Sequence, residues 1–312
     1  MKHLVIATRN SLEENIGLIN FSVEEYAKNL KHKNAKTYLR YCFKQAVEYA
    51  NLQKSCSIET VSLVQFYSLL NLVKTFVIAN INKKDITLTE LDNIFHSHGA
   101  SSKNTNDIHI NQRGTFVKFS KQLCSSSYSK NNYSLIELYK RIPDLYEYLP
   151  IVFHSEKTDY RKTIYCKKFM YEEGFMNPEF YCHWLVTDKQ DFYDIHDKYD
   201  KLKNRHELIN HERINKVVFS YENLESPLTD ILRFDCDENL FIDLNSENIS
   251  ELEAIYLIFL KYSSLVRYKP KTWYEKINSK ELLIIEKMTH SMFIKFWAYI
   301  AKNLQKNDFI LI

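Results

Sequence analysis

The chain has 312 residues, 45% hydrophobic and 14% aromatic, which is ample material for a core and excludes general disorder. Its 42 basic and 39 acidic side chains leave a net charge of +3. So even a balance points away from nucleic acid or an anionic membrane as an obligatory partner.

Taken in order, the N-terminus offers only a short apolar run at 4–7, too short for a signal-peptide core, so the chain is read as cytoplasmic. Residues 34–51 space Tyr38, Cys42, Ala46 and Tyr49 three and four apart, one helical stripe. Ser57, with Glu59 behind it, is the expected N-cap of a long apolar helix running to about residue 81. Gln65, Asn71 and Lys74 sit near its middle, which suits a buried core helix better than a membrane span. A shorter helix over 87–95 ends in His96-Ser97-His98-Gly99, where glycine can take the left-handed backbone that closes a helix.

Residues 100–107 read as loop, 108–112 as extended and Arg113-Gly114 as a turn before a regular element at 115–123. After a loop-like 125–132 comes a helical 134–139, and then Pro143, whose ring restricts the neighbouring backbone. The middle differs. Residues 160–171 and 179–186 are rich in aromatic and β-branched side chains, and 217–221, 231–234 and 240–244 are further strand candidates. Charges of both signs crowd 189–215, the pattern of a solvated helix or long loop. Ser250-Glu251-Leu252-Glu253 has capping-box spacing, and Ser279 precedes a final helix carrying Ile285, Met288, Met292, Phe296 and Tyr299.

The expected architecture is α+β: helical N- and C-terminal parts packed together with a strand-rich middle. It is read as one compact unit over 1–312, mainly helical at 21–150, strand-rich at 151–245 and helical again at 246–312. The four glycines, Gly17, Gly99, Gly114 and Gly174, are too scattered for a Gly-rich phosphate loop. That removes P-loop NTPases, Rossmann oxidoreductases and protein kinases together. No two of Cys42, Cys56, Cys124, Cys166, Cys182 and Cys236 form a C-x-x-C pair, so reduced thiols are expected and no cofactor or metal is called for.

Four segments carry a resemblance. They are Gln65-Phe66-Tyr67-Ser68-Leu69-Leu70-Asn71-Leu72-Val73-Lys74, then His98-Gly99-Ala100-Ser101. Next come Arg113-Gly114-Thr115-Phe116 with Phe119 and Ile142-Pro143-Asp144-Leu145, and finally Arg267-Tyr268-Lys269-Pro270 running to Trp273. In this order they resemble the YaaC-like family of bacterial proteins over roughly residues 35 to 300, with Ser68 standing where the family pattern has Gly. The resemblance implies a fold and no established activity, so whether the chain is an enzyme stays open.

Lys74, His98, Arg267 and Trp273 are the polar or amphipathic residues of those segments, candidates for a shared pocket that binds an anion. Arg would supply a planar fork and Lys a point charge. The plainer reading has Lys74 snorkelling and Arg267 paired with a carboxylate, and it leads because motif matches in a single sequence often arise by chance. His96, His98 and His109 could ligate a metal, but they bring no matched carboxylate or thiol, and surface imidazoles are the simpler account.

A second constellation is Arg205, His206 and His211. His206 and His211 lie five apart, about 140° round a helix, so the zinc-protease pattern fails. Arg205 with His211 is similar to the Arg-x4–6-His signature of HEPN-type ribonucleases, which act on RNA without metal, often across a homodimer, as toxins or phage-defence effectors. Nine arginines, three permitted spacings and 11 histidines in 312 residues give about one accidental match, so the motif carries little by itself. The leading expectation is therefore an accessory protein acting through a protein partner or a small anionic ligand, with no membrane. The alternative is the ribonuclease.

Overall fold

The computed structural model describes residues 11–153 and 249–305, apart from 82, 103, 105 and 124–130, and between these two parts the backbone of six extended stretches. The first helix, α1 (Leu12–Asn29), opens on a capping box in which Ser11 and Glu14 exchange side-chain and backbone hydrogen bonds. Helix α2 (Lys33–Leu52) buries Ala35, Leu39, Cys42, Phe43, Ala46 and Ala50, one stripe at helical period.

Helix α3 (Val61–Ala79) is different in kind. From Phe66 to Ala79 only Tyr67 and Lys74 escape full burial, so it is apolar all round and lies at the centre of the described fold. It is long and apolar enough to cross a membrane by composition, yet 72% of that span is buried inside the molecule. Two of its polar side chains tie it to neighbouring elements. Ser68 Oγ donates to the Ala46 carbonyl at 2.9 Å, and Gln65 Nε2 to the Thr289 carbonyl at 2.6 Å. Ser57 does not cap it: the helix starts after Thr60, and the Ser57 carbonyl accepts from the amides of Thr60 and Val61 while its hydroxyl bonds Glu59 in the preceding turn.

Beyond α3 come α4 (Leu88–Phe95), closed at its start by a Thr87/Glu90 capping box, and α5 (Thr115–Leu123). Between and after them β1 (Ala100–Ser102), β2 (Asp107–Ile110) and β3 (Asn132–Ser134) form an antiparallel sheet in that order. The reading of 100–107 as loop is thus corrected at its first residues: Ala100 pairs with Ile110 and both are buried. The small helices α6 (Leu135–Tyr139) and α7 (Leu149–Phe153) flank a 3-10 turn at Pro143–Leu145.

The six extended stretches are β4 (Thr163–Glu173), β5 (Phe180–Val186), β6 (Glu207–His211), β7 (Ile214–Ser220), β8 (Leu232–Phe234) and β9 (Leu240–Asp243). Their backbones pair antiparallel in the order β6-β7-β5-β4-β9-β8, with Cys166 opposite both Val186 and Leu240.

The chain then returns to the helical core. Helix α8 (Glu251–Tyr268) has the expected Ser250/Glu253 capping box and buries every residue from Glu251 to Ser263. Pro270 opens α9 (Pro270–Ile277). The final helix is interrupted: α10 (Leu282–Lys287) passes through a π-helical turn at Met288–Met292 into α11 (Phe293–Gln305). Helices α2, α5, α8 and α11 surround α3, and α1 lies on α11, so the N- and C-terminal helical parts share one core.

Two buried lysines tie that core together. Lys295 on α11 reaches Asp144 at 2.7 Å and Glu251 at 2.5 Å, with side chains 9%, 2% and 0% exposed. Ions this deep are kept only by such pairing. Lys261, on α8, is fully buried and donates to Ser102 Oγ at 2.7 Å, to the Asp107 carbonyl at 3.0 Å and to the Asn104 carbonyl, holding both strands of the β1–β2 hairpin. Burial, then the charge of Lys269, pushes its pKa down to about 8 against the pull of Asp107.

Candidate functional site

The site begins with two glycines. Gly99 and Gly114 have φ of +81° and +116°, a backbone that side chains strongly disfavour. They lie against each other: a Cβ on Gly114 would sit 2.6 Å from the Gly99 nitrogen, and one on Gly99 would sit 2.7 Å from the Phe116 nitrogen. The crossing is sewn by Thr115 N–H to the Ser97 carbonyl, Phe116 N–H to the His98 carbonyl and Asn111 N–H to the Gly99 carbonyl, each at 2.9 Å. These bonds satisfy amides at the start of α5 and fix the backbone of His98. Two segments matched separately in the sequence, His98-Gly99 and Arg113-Gly114-Thr115-Phe116, are one structural unit.

That unit sets the half-buried His98 ring against the Phe66 ring, with centroids 5.4 Å apart and planes perpendicular. Phe66 starts the row of interest on α3. Tyr67, Asn71 and Lys74 follow at spacings of four and three, hence on one face. Asn71 Nδ2 donates to the Tyr67 carbonyl at 3.0 Å, and Lys74 Nζ stands 5.9 Å from the Phe95 ring centroid. Arg267 comes from the end of α8. Its Nε donates to the Ser263 carbonyl at 3.3 Å and its Nη1 to Tyr67 Oη at 3.0 Å. Its guanidinium carbon lies 5.7 Å from the Tyr67 ring and 4.9 Å from the Tyr268 ring.

Electrostatics link the three. Burial lowers the His98 pKa below the ordinary histidine value, and the charges of Arg267 and then Lys74 lower it further. His98 therefore shares one field with Lys74 and Arg267, although they lie 24 and 169 residues from it along the chain. Among the described residues no carboxylate pairs with Lys74 or Arg267, and no group hydrogen-bonds the His98 ring. Two cations and an imidazole thus share a half-buried surface with no carboxylate paired to either cation among the described residues, an arrangement that favours an anion. Tyr67 and Asn71 belong to this surface and sequence reasoning passes over them; their spacing from Lys74 is the available signal.

Trp273 plays another part. It is 3% exposed, its ring lies 5.3 Å from that of Tyr262, and its indole N–H donates to the Glu59 carbonyl at 3.0 Å. Its one polar group is therefore spent on anchoring α9 and α8 to the turn before α3. Ser68, where the family pattern has Gly, sits fully buried against α2 and keeps the approach close through its bond to Ala46.

His96 and His109 differ from His98 in their partners. His96 Nδ1 meets the Asn93 carbonyl at 2.8 Å and His109 Nδ1 meets Asn132 Oδ1 at 2.9 Å. Both line an open surface hollow with Ser97, Asn111, Gln112 and Arg113. Among the described residues no three His, Cys, Asp or Glu side chains come together as a metal site would require. Arg205 and His206 lie outside the described residues; the backbone of His211 is the last residue of β6, extended, and nothing is described of its side chain.

A search among curated proteins and another among solved structures returned no match. The sequence model of the YaaC-like proteins matches residues 8–304, a span that takes in the two-glycine crossing, the α3 row and Arg267. On that match over nearly its whole length, the chain belongs to the YaaC-like family.

Proposed function

We propose that this YaaC-like chain is a cytoplasmic accessory protein that acts by binding, with Lys74, His98 and Arg267 receiving an anionic group on a small ligand or a protein partner. The observation that supports it is the pair of cations with no carboxylate among the described residues, both acting on one unbonded imidazole. Pairing with nearby acids is the ordinary fate of half-buried cations, and its lack here is what a ligand-binding surface would need. The same reading takes 1–312 as one unit, with 151–245 as its strand-rich segment.

Calorimetric titration of the purified chain with inorganic phosphate tests the reading. Arg267→Gln and Lys74→Gln are each expected to weaken binding by about 10–100-fold, the worth of one charge-assisted hydrogen bond. Trp273→Phe should leave it unchanged if the protein stays folded, since the indole N–H is already committed to Glu59. Equal affinity in wild type and Arg267→Gln would end the proposal.

A metal-independent ribonuclease using Arg205, His206 and His211 is the competing proposal. His211 would exchange the proton and Arg205 would stabilise charge on the phosphorane. Single-stranded RNA incubated with the protein in EDTA decides between them. Cleavage that disappears in His211→Ala would displace the binding reading.

A further inference from the structure

We propose that the anion this surface takes is a tetrahedral dianion of the phosphomonoester class, and that binding brings a proton to His98. The inference rests on the binding reading and deepens it.

Charge comes first. Lys74 and Arg267 contribute two positive charges with no carboxylate between them among the described residues. A carboxylate would neutralise one of them, whereas a phosphomonoester, close to −2 at neutral pH, neutralises both.

Geometry points the same way. The side-on fork by which arginine grips a flat carboxylate uses Nε together with Nη2. Here Nε is held by the Ser263 carbonyl, so that side-on fork is broken, and Nη1 gives one hydrogen to Tyr67, which leaves its second hydrogen and those of Nη2 for other acceptors. The other donors stand on different elements: Lys74 on α3 and His98 on the turn locked by the two glycines. Three donors arriving from three elements suit an ion with oxygens at tetrahedral angles.

The proton comes from the field. Burial first, and then the charges of Arg267 on α8 and Lys74 on α3, disfavour the imidazolium form of His98. A bound dianion cancels that repulsion and, in contact with the ring, attracts a proton to it, so the imidazolium is favoured and offers another N–H to the ligand. Among the described residues no other charged group acts on His98, and Phe66 contributes only an uncharged ring.

Sulfate is the probe, because it is a tetrahedral dianion that does not itself titrate near neutral pH. Calorimetry at pH 7 in two buffers with different heats of ionisation counts the protons exchanged, and acetate serves as the flat monoanion. Sulfate is expected to bind at least about tenfold tighter than acetate, with uptake of about half a proton or more and affinity rising as pH falls. In His98→Gln the remaining, weaker binding should lose both the uptake and the pH dependence. Sulfate binding without proton uptake overturns the proton linkage and leaves the binding reading standing. Acetate binding as tightly as sulfate overturns the choice of ligand class. No Arg267-dependent binding of either ion removes the binding reading and this inference together.

Discussion

Gly114 shows how much can hang on one missing side chain. Its φ of +116° and its contact with Gly99 leave no room for a methyl group. Besides the Ser97 hydroxyl, the atoms such a methyl would meet are backbone, which cannot swing aside. Gly114→Ala should therefore destabilise the protein by roughly 2–5 kcal/mol, combining backbone strain with overpacking. Denaturant unfolding measures it, and a change below about 1 kcal/mol would mean a looser crossing than these contacts require. The role of Gly99 at a helix end is legible from its place after His96-Ser97-His98. That the second glycine lies on the first is not, because the contact joins positions 15 apart through backbone alone and leaves no periodic trace. Lys261 is legible in principle: a lone charge inside Ile255 to Leu265, an otherwise uncharged run, must find acceptors, and it finds them on the β1–β2 hairpin. Which acceptors it finds is a tertiary fact.

At the scale of elements, α3 is legible as a core helix for a physical reason. A sequence apolar on every face can be satisfied only by burial on every face. Its start is less so, since Ser57 has the chemistry of a cap while the backbone bonds of the helix begin after Thr60. Helix α1 is legible on two counts, since Ser11 and Glu14 stand at capping-box spacing and Ile19, Val23 and Ala27 follow at four-residue steps. The final helix has the stripe of a continuous element, and the π-turn at Met288–Met292 is invisible to a fixed period because it inserts one residue of slip. Leu70 provides the check on α3. It is 4% exposed, and Leu70→Ala should cost about 2–5 kcal/mol. A loss near zero, measured by chemical denaturation, would say that this face of α3 is not packed into the core.

Over the whole molecule, the candidate site is a product of assembly. Lys74 lies on α3, His98 after α4 and Arg267 at the end of α8, and only the packing of α8 against α3 brings the third to the first two. Sequence alone offers these residues because they fall in family-like segments, and it offers Trp273 on the same ground. Segment resemblance cannot separate a residue that lines a surface from one that braces it. The buried group of Asp144, Glu251 and Lys295 makes the same point: Asp144 lies in a matched segment, but the lysine it pairs with comes from α11, and Glu251, which shares that lysine, from α8. The claim that these parts converge on an anion is tested most directly by diffraction from crystals soaked in tungstate, a tetrahedral dianion with strong anomalous scattering. The account predicts an anomalous peak within hydrogen-bond reach of Lys74 Nζ, the free guanidinium nitrogen of Arg267 and the His98 ring, and none there in Arg267→Gln. Tungstate found only elsewhere on the surface, with that position empty, would contradict it.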